Sequence, residues 1–288
     1  MNRENDTHKG IWLMVAATLV FALQDGISRH LAGVYNVLMV VMIRYWFLAG
    51  FVIVVAIRKS GGLRPAAATA QPWLQALRGA LLAGEICITV VSFVLLGLIA
   101  THAIFAIYPL IVAALSGPVL GERVGWRRWA AIGAGFAGIL IVLQPGRGVF
   151  SPTALVPLAG AFGFAVYGLL TRHVARTDST ATSFFWTGTV GAVVMTAVGA
   201  WSWTPMSPGD WLWMGTLCVS GALGHWLLIR CYEVAEASAV QPFAYLQLVF
   251  VSCLGIAVFG EQLHANLVIG AAIVVGSGLV TLRRARPG

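Results

Sequence analysis

Ten stretches of about 20 apolar residues, joined by short polar connections, leave this chain little choice of environment. They fall at 11–30, 37–57, 78–98, 100–120, 126–144, 152–172, 182–201, 211–231, 238–260 and 265–282. About 20 such residues in a helix cross the hydrocarbon of a bilayer, and a helix satisfies its own backbone there. The spacing therefore predicts an all-α integral membrane protein with ten transmembrane helices. Composition agrees, with 59% hydrophobic and 10% charged residues, outside the range of a soluble domain. The polar opening "MNRENDTHKG" runs straight into the first stretch, so no cleaved signal peptide is expected.

A formal net charge of +8 raises the question of nucleic acid, but the basic residues lie between apolar runs and form no solvated patch. No nucleic-acid partner is expected; the lipid bilayer is. With the N-terminus in the cytoplasm, the inner segments hold Arg3, Lys9, Arg58, Lys59, Arg64, Arg78, Arg123, Arg127, Arg128, Arg172, Arg176, Arg230, Arg283, Arg284 and Arg286. Outside are Arg29 and Arg147, with Arg44 inside a span. The positive-inside rule then puts both termini in the cytoplasm, which an even number of spans requires. Cys87, Cys218, Cys231 and Cys253 sit in apolar segments without CxxC or ligand spacing, so they are expected to pack, with no disulfide, metal or cofactor.

Internal similarity divides the chain in two. Residues 109–143 align without a gap on 248–282, matching Gly121-Glu122 to Gly260-Glu261. A second match, "TLVFALQDGISRHLA" (18–32) on "AFGFAVYGLLTRHVA" (161–175), follows the same order and nearly the same offset. Residues 1–145 and 151–284 are thus expected to be two repeats of five helices. An odd number of helices per repeat inverts the second half, an arrangement that places a binding site near the midplane between two access states.

The Gly-Glu turns in "PVLGERVGWRRWAAIGAGFAG" and "PFAYLQLVFVSCLGIAVFGEQL" resemble the EamA-type members of the drug/metabolite transporter superfamily, over essentially the whole chain. Within that family the length and tryptophan-rich layout are most similar to bacterial amino-acid exporters, the aromatic branch included. The resemblance implies a multi-pass protein of the bacterial inner membrane. It also implies that helices one, three, four, six, eight and nine line the route, and that the substrate is a small metabolite, expected here to be an amino acid. The chain is expected to act as a monomer.

Polar residues inside apolar spans are costly and mark candidate sites. Glu85, Thr89 and Ser92 recur at one face of the third span. Glu85 is expected to take up a proton during transport, to hold a substrate amino group, or to bond a neighbouring helix as a neutral carboxyl. Asp25 and Arg44 are expected to form a structural or gating ion pair, with substrate-carboxylate binding as the alternative for Arg44 and Arg29 as an alternative partner for Asp25. Gln24 aligns with Tyr167 across the repeat. Tyr108 beside Pro109, and Gln241 and Tyr245 around Pro242, mark places where a proline frees carbonyl groups inside a span. These residues and His225 are expected to line the pore, or else to bond between helices. Arg78 and Arg230 are expected to snorkel to the interface, and His102 to lie at headgroup level. Trp46 and Trp186 are candidates to meet an aromatic substrate. Small residues at Ala134/Gly138 and Ala272/Gly276 predict close packing of the fifth and tenth helices.

The function expected is a secondary transporter that exports amino acids or similar metabolites by alternating access, since no GxxxxGK[ST] motif supports ATP. Alternatives are a sugar or drug-like cargo, or a channel. An enzyme is not expected, because HExxH, GxSxG and clustered Asp/His motifs are missing.

Overall fold

The computed structural model describes residues 6–59, 61–121, 125–143, 152–235 and 237–282. Among these the chain forms thirteen α-helices and no strand. In order they are α1 (Thr7–Val34), α2 (Val37–Lys59), α3 (Leu63–Ala67), α4 (Pro72–Leu96), α5 (Leu98–Phe105), α6 (Tyr108–Leu120), α7 (Trp126–Leu143), α8 (Leu155–Val174), α9 (Thr180–Gly199), α10 (Pro208–Val234), α11 (Ala237–Ala244), α12 (Leu246–Phe259) and α13 (Ala265–Leu282). Helix occupies each of the ten apolar windows. Seven stretches among the described residues are long and apolar enough to cross a membrane, counting α5 and α6 together as Leu98–Leu120. The apolar helices Ile132–Val142, Leu246–Phe259 and Ala265–Ser277 are shorter.

Several helices begin before the apolar run does, because capping and not hydropathy sets the start. The Asp6 side chain accepts from Lys9 N at 2.9 Å, so α1 starts at Thr7. Pro72 and Pro208 occupy first turns, where the missing N–H costs nothing. Ser207 adds a cap by accepting from Asp210 N at 3.2 Å. Helix α4 thus begins one turn or more ahead of Arg78, which the sequence window took as its edge.

Two expected spans, 100–120 and 238–260, are broken in the middle. The first divides into α5 and α6 around Ala106 and Ile107, the second into α11 and α12 around Tyr245. At the first break Ile107 N bonds Ile104 O at 3.2 Å in a tightened turn. Pro109 then falls in the first turn of α6, so it needs no donor and does not kink a continuous helix. Helices α6 and α12 each end on a left-handed glycine, Gly121 (φ +76°) and Gly260 (φ +62°). These are the glycines of the two Gly-Glu turns; Glu122 lies outside the described residues.

Packing joins α1 to α10, α2 to α9, α4 to α8 and α9, and α7 to α13. The α7–α13 contact uses small residues in a different register from that expected. A Cβ on Gly138 would stand 2.8 Å from Gly270 O, and one on Gly270 2.6 Å from Gly138 O. Ala134 is exposed and Gly276 meets nothing within 4 Å, so Gly138 with Gly270 sets the approach. Trp12, Trp73, Trp126 and Trp201 are strongly exposed near helix ends, as interfacial anchors are.

Candidate functional site

A cavity lies among α1, α2, α4, α5, α8, α10 and α12. Its polar lining is Gln24, Asp25, Arg44, Glu85, Thr89, His102, His225 and Gln247; Phe21, Phe93, Phe105 and Phe164 supply rings. Asp25, Arg44, Glu85, His102 and His225 are each buried to better than nine-tenths. So many ionisable side chains inside one apolar bundle carry a desolvation cost that packing alone does not require.

Each helix contributes by its own periodicity. Phe21, Gln24, Asp25 and Ser28 share one face of α1. On α4, Thr89 Oγ1 donates to Glu85 Oε1 at 2.6 Å, one turn away. Helix α8 lets this stripe approach by presenting glycines. A Cβ on Gly160 would stand 2.8 Å from Thr89 Oγ1, and one on Gly163 3.5 Å from Glu85 Cβ. Ser92 is buried on the same helix but donates to Ile88 O at 2.9 Å and does not line the cavity.

Asp25 and Arg44 both line the cavity, yet among the described residues their bonds run elsewhere. Arg44 Nη2 donates to Gln24 Oε1 at 3.1 Å, with a long contact from Nη1 to Ser28 Oγ at 3.5 Å. Gln247 Nε2 donates to Asp25 Oδ2 at 3.0 Å, and His102 Nε2 stands 3.1 Å from the same oxygen, out of line for a hydrogen bond. The expected Asp25–Arg44 pair is thus divided between two sets of neutral or histidine partners. The alternative, Asp25 with Arg29, is displaced by Glu261, which takes Arg29.

Two side recesses extend the cavity. One includes Tyr108 and Tyr245 beside His102 and Gln247 at the helix breaks. The other runs between α2 and α10 past Tyr45 and His225. The side chain of Gln241 lies outside the described residues. Tyr167 does not line the central cavity; its ring contacts those of Phe164 and His225 just behind the wall.

Tyr167 belongs instead to a buried network built on Arg78. Far from snorkelling, Arg78 is 0% exposed. It donates to Gln75 Oε1 at 2.9 Å, to the Tyr167 hydroxyl and Thr171 Oγ1 at 3.3 Å each, and to Ser183 O. Gln75 in turn donates to Asp178 at 2.7 Å. The network ties α4, α8 and α9 together because a guanidinium can fill its fork geometry with acceptors from three elements. Arg230, half-exposed, pairs with Glu233.

At the opposite end of the bundle Glu261 pairs with Arg29 and accepts from Leu98 N and Ile99 N at 2.8 Å each. The carboxylate caps the N-terminus of α5, where orphan N–H groups and the helix dipole favour negative charge. Gly97 (φ +81°) makes the approach possible, since a Cβ there would stand 2.8 Å from Glu261 Oε1.

Sequence inspection missed His102 and Gln247 as cavity residues and Arg78 as the centre of a buried network. Each is a lone polar group in an apolar run, a signal identical in kind to the one that singled out Glu85. The tryptophans were misjudged in the other direction. Trp46 Nε1 bonds Thr196 and Trp186 Nε1 bonds Ala67 O, and neither lines the cavity.

The sequence pattern of the EamA-like transporter family matches residues 8–144 and again 151–283. The S-adenosylmethionine uptake transporter of Rickettsia prowazekii (strain Madrid E) is 26% identical over 94% of this chain and 91% of its own length. The riboflavin transporter of Vibrio cholerae serotype O1 is 27% identical over 93% and 90%. One solved crystal structure shares the fold with a TM-score of 0.69, at 19% identity over 99% of this chain and 100% of that one.

Proposed function

We propose, from the premise that this chain belongs to the EamA-like transporter family, that it carries a metabolite with an amino-acid-like head and a ring-bearing or apolar body. The chain is a multi-pass membrane transporter, and its proposed place is the bacterial inner membrane. The observation that carries the substrate class is the burial of Arg44 and Glu85 in one cavity with four phenylalanines. A guanidinium suits a carboxylate, a carboxylate suits an ammonium group, and phenylalanine faces suit a ring or a soft cation. Free amino acids, aromatic ones included, meet that description. So does S-adenosylmethionine, with its amino-acid head and adenine ring, for which several relatives are named. Export, expected from the resemblance, is weakened by relatives named for uptake; the proposed carrier follows whichever gradient its substrate has.

The route proposed is alternating access between two inverted halves, 1–145 and 151–284. Three observations support it. The family pattern matches twice. The offset that aligns 109–143 with 248–282 also carries α5 onto α11 and α7 onto α13, bound for bound. Third, aligned positions of α1 and α8 do alike work: Phe21 and Phe164 both line the cavity, and Gln24 and Ser28 meet Arg44 as Tyr167 and Thr171 meet Arg78.

Counterflow in proteoliposomes with labelled tryptophan, methionine, S-adenosylmethionine and riboflavin tests the proposal. Saturable exchange of at least one amino-acid-headed compound is expected. Exchange of riboflavin alone, or flux that does not saturate, would overturn the substrate class or the carrier mechanism respectively.

A further inference from the structure

Away from the central cavity, a groove with a volume of about 1020 Å³ opens on the outer surface of the bundle between α2 and α10. It is as roomy as a large ligand pocket, for which about 300–1,000 Å³ is usual. Val52 and Ala56 of α2 and Phe184 of α9 form a buried floor. Phe47 and Phe51 on one rim, and Val219, Leu223 and Trp226 on the other, are exposed.

The charged groups of the groove gather at one end. The backbone N–H of Asp6 donates to Val234 O at 2.9 Å, which sets the start of α1 level with the end of α10. Lys9 and Arg230, both lining the groove, therefore share an end of the bundle. Arg230 pairs with Glu233, a carboxylate that Thr180 Oγ1 also meets. Lys9 is exposed and, among the described residues, enters no ion pair. Two cations thus face one carboxylate at this end. Val219 lies eleven residues before Arg230 on α10, about 16 Å along a helix that rises 1.5 Å per residue. Half of a bilayer's hydrocarbon core is about 15 Å, so the apolar length of the groove matches one leaflet measured from its charged end.

We infer that this groove is a binding site for an anionic phospholipid of the leaflet at the Lys9 end. One acyl chain lies between the two apolar rims, and the headgroup phosphate sits on the Lys9 ammonium. Charge complementarity selects this occupant, because basic pockets between membrane helices attract anionic headgroups and the excess charge here is positive. The site is separate from the central cavity and does not depend on which substrate the carrier takes.

Native mass spectrometry of the purified full chain, incubated in detergent with equal amounts of dioleoyl phosphatidylglycerol and dioleoyl phosphatidylcholine, tests it. The chains are the same and only the headgroup charge differs. Phosphatidylglycerol is expected to be retained at least about fivefold over phosphatidylcholine, the equivalent of about 1 kcal/mol for one lysine near the surface. In Lys9→Gln, at an exposed position that the fold does not need, the preference is expected to fall to within about twofold. Ala181 is an exposed residue of the groove, and Ala181→Trp fills the space beside it, so retention of both lipids is expected to fall. Val219→Trp, at the far end, reports instead if that variant does not fold. Equal retention of the two lipids by the native protein, retention of neither, preference kept in Lys9→Gln, or retention undiminished in the folded tryptophan variant overturns the inference.

Discussion

Glu261 accepts the backbone N–H of Leu98 at 2.8 Å across 163 residues of sequence. One carboxylate thereby closes the turn after α12, caps α5 and holds Arg29 of α1. Glu261→Ala is expected to lower stability by about 1–3 kcal/mol, since it leaves a partly exposed cation and two backbone donors without their carboxylate. In a double-mutant cycle with Arg29→Ala, followed by chemical denaturation in detergent, a coupling of roughly 0.5–3 kcal/mol is expected. Simple additivity would show that the pair does not act as a unit.

Arg78 offers a second test of burial. Arg78→Lys keeps the charge but cannot fill acceptors on α4, α8 and α9 at once. A loss of about 2–4 kcal/mol is expected for it, and more for Arg78→Ala. Thermal melts in detergent measure both; a lysine variant as stable as the native protein would mean that the network contributes charge and not geometry.

Glu85→Gln retains an oxygen that can accept from Thr89 while removing the carboxylate. The fold is expected to survive, with stability changed by less than about 1 kcal/mol. Exchange of amino-acid-headed compounds is expected to fall at least about tenfold, because the ammonium partner is lost. Undiminished exchange in a folded variant would remove Glu85 from the site.

Two glycines of α7 separate packing from propensity. Gly138→Ala drives a methyl group against Gly270 O and is expected to cost about 1–3 kcal/mol. Gly133, with nothing within 4 Å, is expected to gain about 0.5–1 kcal/mol on replacement by alanine. If the two variants melt alike, the α7–α13 contact is not the tight one described.

Much of the site was legible from polarity in an apolar context. Gln24, Asp25, Arg44, Glu85, Thr89 and His225 were singled out by that signal, and all of them line one cavity. The signal names residues without naming partners. It could not show that Arg44 turns to Gln24 while Asp25 turns to Gln247, because those choices depend on which helices pack together. Nor could it separate Ser92, whose hydroxyl is spent on its own helix, from Thr89, whose hydroxyl reaches Glu85. Arg78 was misplaced for a related reason: a cation at the edge of a hydropathy window looks like an interfacial one until α4 is seen to continue to Pro72.

From sequence alone follow the helical class, the membrane and the internal likeness of the two halves. All three rest on local or periodic properties, namely apolar length, backbone self-satisfaction and repeated spacing. Tertiary structure decided where the spans break, which glycines bring helices into contact and which buried groups share a cavity. Those outcomes depend on distances between segments far apart in the chain, and a linear pattern does not encode which of many apolar faces will meet.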